Sequence, residues 1–221
     1  MRITRSRILS INGSKTETVM ICNVIFDLGA VLFEWNPVRI VQTFTDSPTE
    51  QNILLKEVIH HPDWLSLDRG TMLLAEEIPK FAARTDFTVA RMQSFIDHVL
   101  DSLQPIQATE NLLYQVLDNH FSAYYLTNMS NAFFETLHDR NEFFSLFAGG
   151  IVSGREFVIK PEPQIYQLLL DRYDLQPEQS LYIDDNADNV KAAKTLGFHA
   201  VQFEQTDACF SKIRDLLKIY Q

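Results

Sequence analysis

The chain has 221 residues, with 29 acidic side chains against 19 basic ones and a formal net charge of -10. That balance excludes general nucleic-acid binding, which needs a basic face, and no apolar run approaches the ~18 residues of a membrane span. Apolar residues make up 46% of the chain, with 16 Phe and 7 Tyr, enough for a folded core. The length suits one large domain or a core with a smaller insertion.

Residues 1–19 set Arg2, Arg5, Arg7 and Lys15 against Glu17 alone. Ile8-Leu9 is too short for the apolar segment of a signal peptide, and Ser10, Asn12 and Ser14 interrupt its continuation. This stretch is expected to be a dispensable tail, and Met20 an alternative start. Two cysteines, Cys22 and Cys209, are too few for a disulfide framework. A reducing, cytoplasmic setting is expected.

From Ile21 onward, short apolar runs alternate with helical patterns. Residues 21–27, 122–127, 148–153, 181–184 and 199–203 read as strands covered on both faces. Between and after them, residues 109–119, 131–142, 161–173, 187–196 and 210–220 carry apolar side chains at helical spacing. The alternation predicts a Rossmann-like, doubly wound α/β fold with a parallel sheet. Residues 35–104 break the rhythm. Their apolar spacings are helical throughout, with breaks expected at Pro48, Pro62, Gly70 and Asp86, and Asn36-Pro37 reads as a helix start. The expected organisation is a core of residues 20–34 and 105–221 with a helical domain, 35–104, inserted after the first strand.

In an open α/β sheet, ligands bind at the carboxyl ends of the strands. Those ends carry Asp27, then Thr127 with Asn128, then Ser153, then Asp184 with Asp185, and Lys160 opens the helix between the third and fourth strands. A carboxylate can attack phosphorus and form an aspartyl-phosphate. Several carboxylates at one locus need a cation, and hard oxygen ligands select magnesium. A lysine neutralises developing phosphoryl charge. One aspartate of the pair Asp184-Asp185 is also expected to cap the next helix. Cys22 is expected in the core, Trp64 in packing, and Asn189 either beside the site or in a structural role.

Four segments in order resemble the haloacid dehalogenase superfamily. They are Phe26-Asp27-Leu28-Gly29-Ala30-Val31-Leu32, Leu126-Thr127-Asn128, Lys160-Pro161-Glu162-Pro163-Gln164-Ile165-Tyr166 and Tyr182-Ile183-Asp184-Asp185-Asn186-Ala187-Asp188-Asn189. The lysine spacing and the helical insert are similar to subfamily IA with its α-helical cap. The motif flavour is similar to sugar-phosphate phosphatases and to the phosphatase half of bifunctional epoxide hydrolases. The resemblance implies a Mg2+-dependent hydrolase of a small phosphorylated metabolite, working as a monomer or homodimer. It implies Asp27 as nucleophile and metal ligand, the Gly29 carbonyl and Asp185 as metal ligands, and Asp184 as a ligand through water or an orienter of Lys160. Thr127, Asn128 and Lys160 would hold the phosphoryl oxygens. Trp64, Asp68, Arg69 and Gly70 lie where cap residues of the family often face substrate.

One position departs from the pattern. Phosphatases of the superfamily place an acid/base Asp two residues after the nucleophile, and here Gly29 stands there. The group contributes roughly 10²- to 10⁴-fold. Glu34 is the nearest candidate substitute. The alternatives are a slow or non-catalytic ligand-binding or regulatory protein of the same fold, or a metal-independent 2-haloacid dehalogenase.

Overall fold

The computed structural model describes residues 20–219; the expected tail lies outside them. Five parallel strands form one sheet: β1 (Asn23–Phe26), β2 (Ser122–Thr127), β3 (Gly149–Val152), β4 (Ser180–Asp184) and β5 (His199–Gln202). Their order is β3-β2-β1-β4-β5. β1 is central, with Phe26 opposite Tyr125 on one side and Ile183 on the other. The chain runs outward from β1 through β2 to β3, then returns to lay β4 on the other side. The order therefore reverses beside β1, where such sheets open a crevice at their carboxyl edge.

Both faces of the sheet are covered, as continuous apolar strands require. Val24, Phe26 and Ile183 point to one face. There they pack with α6 (Gln107–Asp118), α7 (Asn131–Arg140) and α11 (Asp207–Leu217), through Leu112, Phe134 and Ile213 among others. Ile25, Leu126 and Tyr182 point to the other face, against Ile165, Tyr166 and Leu169 of α9 (Pro163–Tyr173) and Ala193 of α10 (Ala187–Thr195). Cys22 corrects an expectation. The strand begins one residue later, and Cys22 is exposed at its entrance.

Residues 35–104 contain no strand. They form α1 (Pro37–Phe44), α2 (Pro48–Leu54) continued by a π-helical turn (Leu55–Ile59), α3 (Pro62–Arg69), α4 (Leu74–Thr85) and α5 (Val89–Ser102). The breaks fall where the sequence places them. Asn36 caps α1, accepting the Arg39 N–H at 3.0 Å, and Pro37 takes the first helical position, where no N–H is needed. Pro48 and Pro62 open α2 and α3 behind Ser47 and His61 caps. Gly70 ends α3 at φ +82°, and Asp86 ends α4 at φ +59°. Phe95, Ile96 and Val99 of α5 join the same apolar cluster as β1.

The chain enters and leaves this helical region through two adjacent stretches of backbone. Glu34 N–H donates to the Gln104 carbonyl and Ile106 N–H to the Leu32 carbonyl, both at 2.8 Å. Among the described residues, no helix is long and apolar enough to cross a membrane.

Candidate active site

Asp27 extends β1 by one ladder bond, its N–H donating to the Ile183 carbonyl at 2.9 Å. The chain then turns sharply. Leu32 and Phe33 N–H both return to the Leu28 carbonyl at 2.8 Å, and Ala30 takes φ +57°. The Leu28 N–H donates to Asp27 Oδ1 at 2.7 Å, fixing the carboxylate at the mouth of the crevice.

Lys160 is the hub. Its Nζ lies 2.8 Å from Asp27 Oδ2, 2.7 Å from Asp184 Oδ2 and 3.0 Å from the Leu126 carbonyl, with only 3% of the residue exposed. Burial works against its charge, but Asp184 and Asp27 outweigh that and hold the ammonium above the ordinary lysine range. Asp184 is fully buried and saturated with donors: the Tyr182 hydroxyl, Asn189 Nδ2 at 3.1 Å to both oxygens, and the Asn186 N–H at 2.8 Å. Burial pushes its carboxyl up, yet Lys160 and these donors bring it below its usual range. Asp27 goes the other way. Burial raises it, and Asp184 and Asp185 add to the rise against the pull of Lys160. Burial and Asp184 also raise Asp185.

Asp27, Asp184 and Asp185 each offer a carboxylate oxygen, all within 4.8 Å of one another. Three carboxylates against one ammonium leave an excess of negative charge. Hard oxygens in that number fit a small divalent cation.

The positions named from sequence divide into three groups. Asp27, Gly29, Asn128, Lys160 and Asp185 line one cavity of about 510 Å³ at the carboxyl edge of the sheet. Asp184 and Thr127 stand behind it, Thr127 with 1% exposed. Glu34 is elsewhere: it lines a separate groove with Asn36, Arg39 and Gln104, because its backbone is tied to Gln104 where the chain leaves the core. It does not line the Asp27 cavity.

Three further expectations change. The Asn128 amide is tied to the segment that carries the lysine: one Nδ2 N–H donates to the Lys160 carbonyl at 2.9 Å and its Oδ1 accepts the Lys160 N–H at 2.8 Å. Asn128 thereby sets the backbone that carries the lysine. Ser153, at the start of the short helix α8 (Ser153–Glu156), is a strut, its Oγ joining the Met129 N–H to the Asp68 carbonyl. The cap of α10 is Asn186, which accepts the Asp188 and Asn189 N–H groups, leaving Asp184 and Asp185 free of that duty. Asn189 supports the site through Asp184. Nothing in the sequence marks Trp35, Ile59, Leu103 and Phe133 as lining the same cavity, because they come from four separate segments. Trp64 does pack, stacked on Trp35 at 6.1 Å and edge-on to Phe133 at 5.8 Å, and also lines the cavity.

Comparison with known proteins agrees with this architecture. Residues 24–197 match the family model for haloacid dehalogenase-like hydrolases. The chain is 23% identical over 196 residues to a sesquiterpene phosphatase of Aspergillus oryzae, covering 87% of this chain and 95% of that protein. It is 27% identical over 201 residues to a drimenol cyclase of Aspergillus calidoustus, covering 85% of this chain but 35% of the cyclase. A haloacid dehalogenase family enzyme of Bacteroides thetaiotaomicron, solved with magnesium and inorganic phosphate, superposes with a TM-score of 0.70 at 20% identity, covering 85% of this chain and 96% of that one. With a family match over most of its length and a five-stranded parallel sheet carrying the acidic cluster at its edge, the chain belongs to the haloacid dehalogenase-like hydrolases.

Proposed function

We propose that the protein is a magnesium-dependent phosphatase that hydrolyses the phosphate monoester of a small apolar alcohol. The observation that carries this reading is the polarity of one cavity. At its floor stand Asp27, Lys160 and Asp185 beside Asn128, Asn186 and Asn189; its walls are mainly Trp35, Ile59, Trp64, Leu65, Leu103 and Phe133, with His60 and Asp68 the polar groups among them. A sugar phosphate has more hydroxyls than His60 and Asp68 can meet on these walls, and each one left unpaired costs about 1–3 kcal/mol. An apolar alcohol would remove the same walls from water at about 25 cal/mol per Å². The relative to which the chain is similar over most of its length is named a sesquiterpene phosphatase, and a sesquiterpene is an apolar group.

Asp27 is the nucleophile: one carboxylate oxygen attacks phosphorus while the ester oxygen leaves on the opposite side. Lys160 offsets charge on the transferring group and, by holding Asp184 as well, keeps Asp27 in line. The end of β2 at Asn128, which lines the cavity, holds phosphoryl oxygens, with Thr127 buried behind it. Mg2+, when bound, supplies neutralising charge between the acidic cluster and the phosphate; Asp27, Asp185, the Gly29 carbonyl and Asp184 are the groups that would hold it. Residues 20–34 and 105–221 act as the catalytic core, and residues 35–104 as a cap that selects the alcohol. The acidic cluster favours phosphate over halide chemistry.

The test is hydrolysis of nitrophenyl phosphate and of a series of alkyl, prenyl and sugar phosphates with Mg2+. The expected order places prenyl and alkyl phosphates first. Full activity after chelation, or in Asp27→Asn, sinks the phosphatase mechanism. A preference for sugar phosphates sinks the apolar substrate alone.

A further inference from the structure

We infer that Asp68, carried by α3 over the cavity, is the general acid and then the general base of the reaction, doing from the inserted helices what Gly29 cannot do from the core. This rests on the phosphatase reading above.

Glycine at position 29 is not forced by packing. A Cβ built there meets nothing closer than the Trp35 Cβ at 3.9 Å, an ordinary contact. The backbone leaves room for a Cβ at this position, and the chain places no side chain there. Asp68 lines the same cavity as Asp27 and Lys160. Lys160 directs its ammonium at Asp27, Asp184 and the Leu126 carbonyl, so Asp68 is not a fourth arm of that network.

The helix end that carries Asp68 is fastened to the core at three successive residues. The Asp68 carbonyl accepts the Ser153 hydroxyl. Arg69 grips Glu162 with both guanidinium nitrogens, at 3.1 and 2.5 Å. Gly70 lies so close to Gly154 that a Cβ would meet the Gly154 carbonyl oxygen at 2.2 Å. Such fastening is what a group acting at one atom of a substrate requires.

The protonation state agrees. Burial pushes the Asp68 carboxyl up to about 8, with Asp27 adding to the rise and the Ser130 N–H and Lys160 opposing it. His60 of the neighbouring turn is the other titratable group on that wall. At neutral pH the carboxyl therefore carries a proton to give. An alkoxide of an apolar alcohol is a poor leaving group and needs one.

Atoms and charges balance over the two steps. Asp27 Oδ bonds to phosphorus, the P–O bond to the alcohol breaks, and the departing oxygen takes the Asp68 proton, leaving alcohol, aspartyl-phosphate and an Asp68 carboxylate. Water then attacks phosphorus, its proton passes to Asp68, and the P–O bond to Asp27 breaks. Inorganic phosphate leaves and both aspartates return to their starting states.

The experiment compares wild type, Asp68→Asn, Gly29→Asp and the double variant, with Mg2+, on nitrophenyl phosphate and on a medium-chain alkyl phosphate. Asp68→Asn should lose on the order of 10²-fold or more in kcat on the alkyl ester. Nitrophenolate leaves without a proton, so the first step survives. Hydrolysis of the intermediate then slows, and intact-mass measurement should show the chain carrying one phosphoryl group. Gly29→Asp in the double variant should recover much of the loss, since the restored carboxylate stands where other phosphatases of the family keep theirs. Equal losses on both esters with no phosphorylated chain, no loss at all, or no recovery in a double variant that melts like wild type would overturn the assignment. Failure of wild type on nitrophenyl phosphate would instead sink the phosphatase reading, before Asp68 is at issue.

Discussion

The two ends of the cavity are built by opposite means. At the sheet edge Lys160 and Asp184 are over-determined: Lys160 has three oxygen neighbours, and Asp184 has five donor contacts from Lys160, Tyr182, Asn186 and Asn189. At the helical end the wall is aromatic and aliphatic apart from His60 and Asp68, held by ring contacts such as Trp35 on Trp64, and Leu65 stands 49% exposed at its rim. Hydrogen bonds to charged groups fix geometry sharply, whereas apolar contacts tolerate change of shape. The sheet edge is therefore suited to one reaction, and the helical wall to a choice among substrates. Substitutions at the two ends should fail in different ways.

The largest effect belongs to the nucleophile. Asp27→Asn keeps the shape and should remove turnover by roughly 10⁴-fold or more, the scale of losing a covalent nucleophile, with little change in thermal midpoint. Lys160→Met should also abolish turnover, but for a second reason. It leaves Asp184 and Asp27 buried without their cation, an imbalance of about 3–5 kcal/mol. Its unfolding midpoint in chelator should fall well below that of Asp27→Asn, and added Mg2+ should recover part of the difference. Equal midpoints for the two variants would show that the carboxylates do not depend on Lys160.

This division also decides what the sequence could reveal. The sheet edge was legible because strand ends are marked locally: an apolar run, then a carboxylate, repeated across β1 and β4. Helix starts such as Asn36-Pro37 were legible for the same reason, since capping acts within one turn. The helical wall was not, because Trp35, Ile59, Leu103 and Phe133 meet only after five helices have packed, and each reads as ordinary core on its own. Glu34 was misplaced by proximity in sequence. Seven residues from Asp27, it is carried into another groove by pairing with Gln104, while Asp68, far along the chain, is brought back over the site by Arg69 and Ser153.

Leu65→Asn tests the wall with little cost to folding, since the residue is half exposed. Losing about half of the 1.5–3 kcal/mol carried by a buried leucine should raise KM for an alkyl phosphate roughly 5- to 10-fold and leave kcat near wild type. The same variant should leave inorganic phosphate inhibition unchanged, because phosphate binds at the other end. A fall in kcat with KM unmoved would mean that Leu65 acts on the chemistry and that the two ends are not separable.

The smallest effect concerns the fastening between them. Arg69 and Glu162 are about one-third exposed, at 32% and 38%, so water screens the pair and its stability contribution is at most about 1 kcal/mol. Arg69 holds the Glu162 carboxyl below its ordinary 4.5. A depressed carboxyl stabilises the fold above its unfolded value and loses that contribution as pH falls through its folded value. Glu162→Gln should therefore lower the thermal midpoint by no more than about 3 °C at pH 7, and the gap to wild type should close as pH drops below 4.5. If α3 is positioned by this pair, the variant should also lower kcat on alkyl phosphates more than on nitrophenyl phosphate, because a loosened Asp68 weakens both steps with an alkyl ester but only the second with nitrophenyl phosphate. Equal effects on both esters would leave the pair a surface contact and return the positioning of α3 to Ser153 and the Gly70–Gly154 approach.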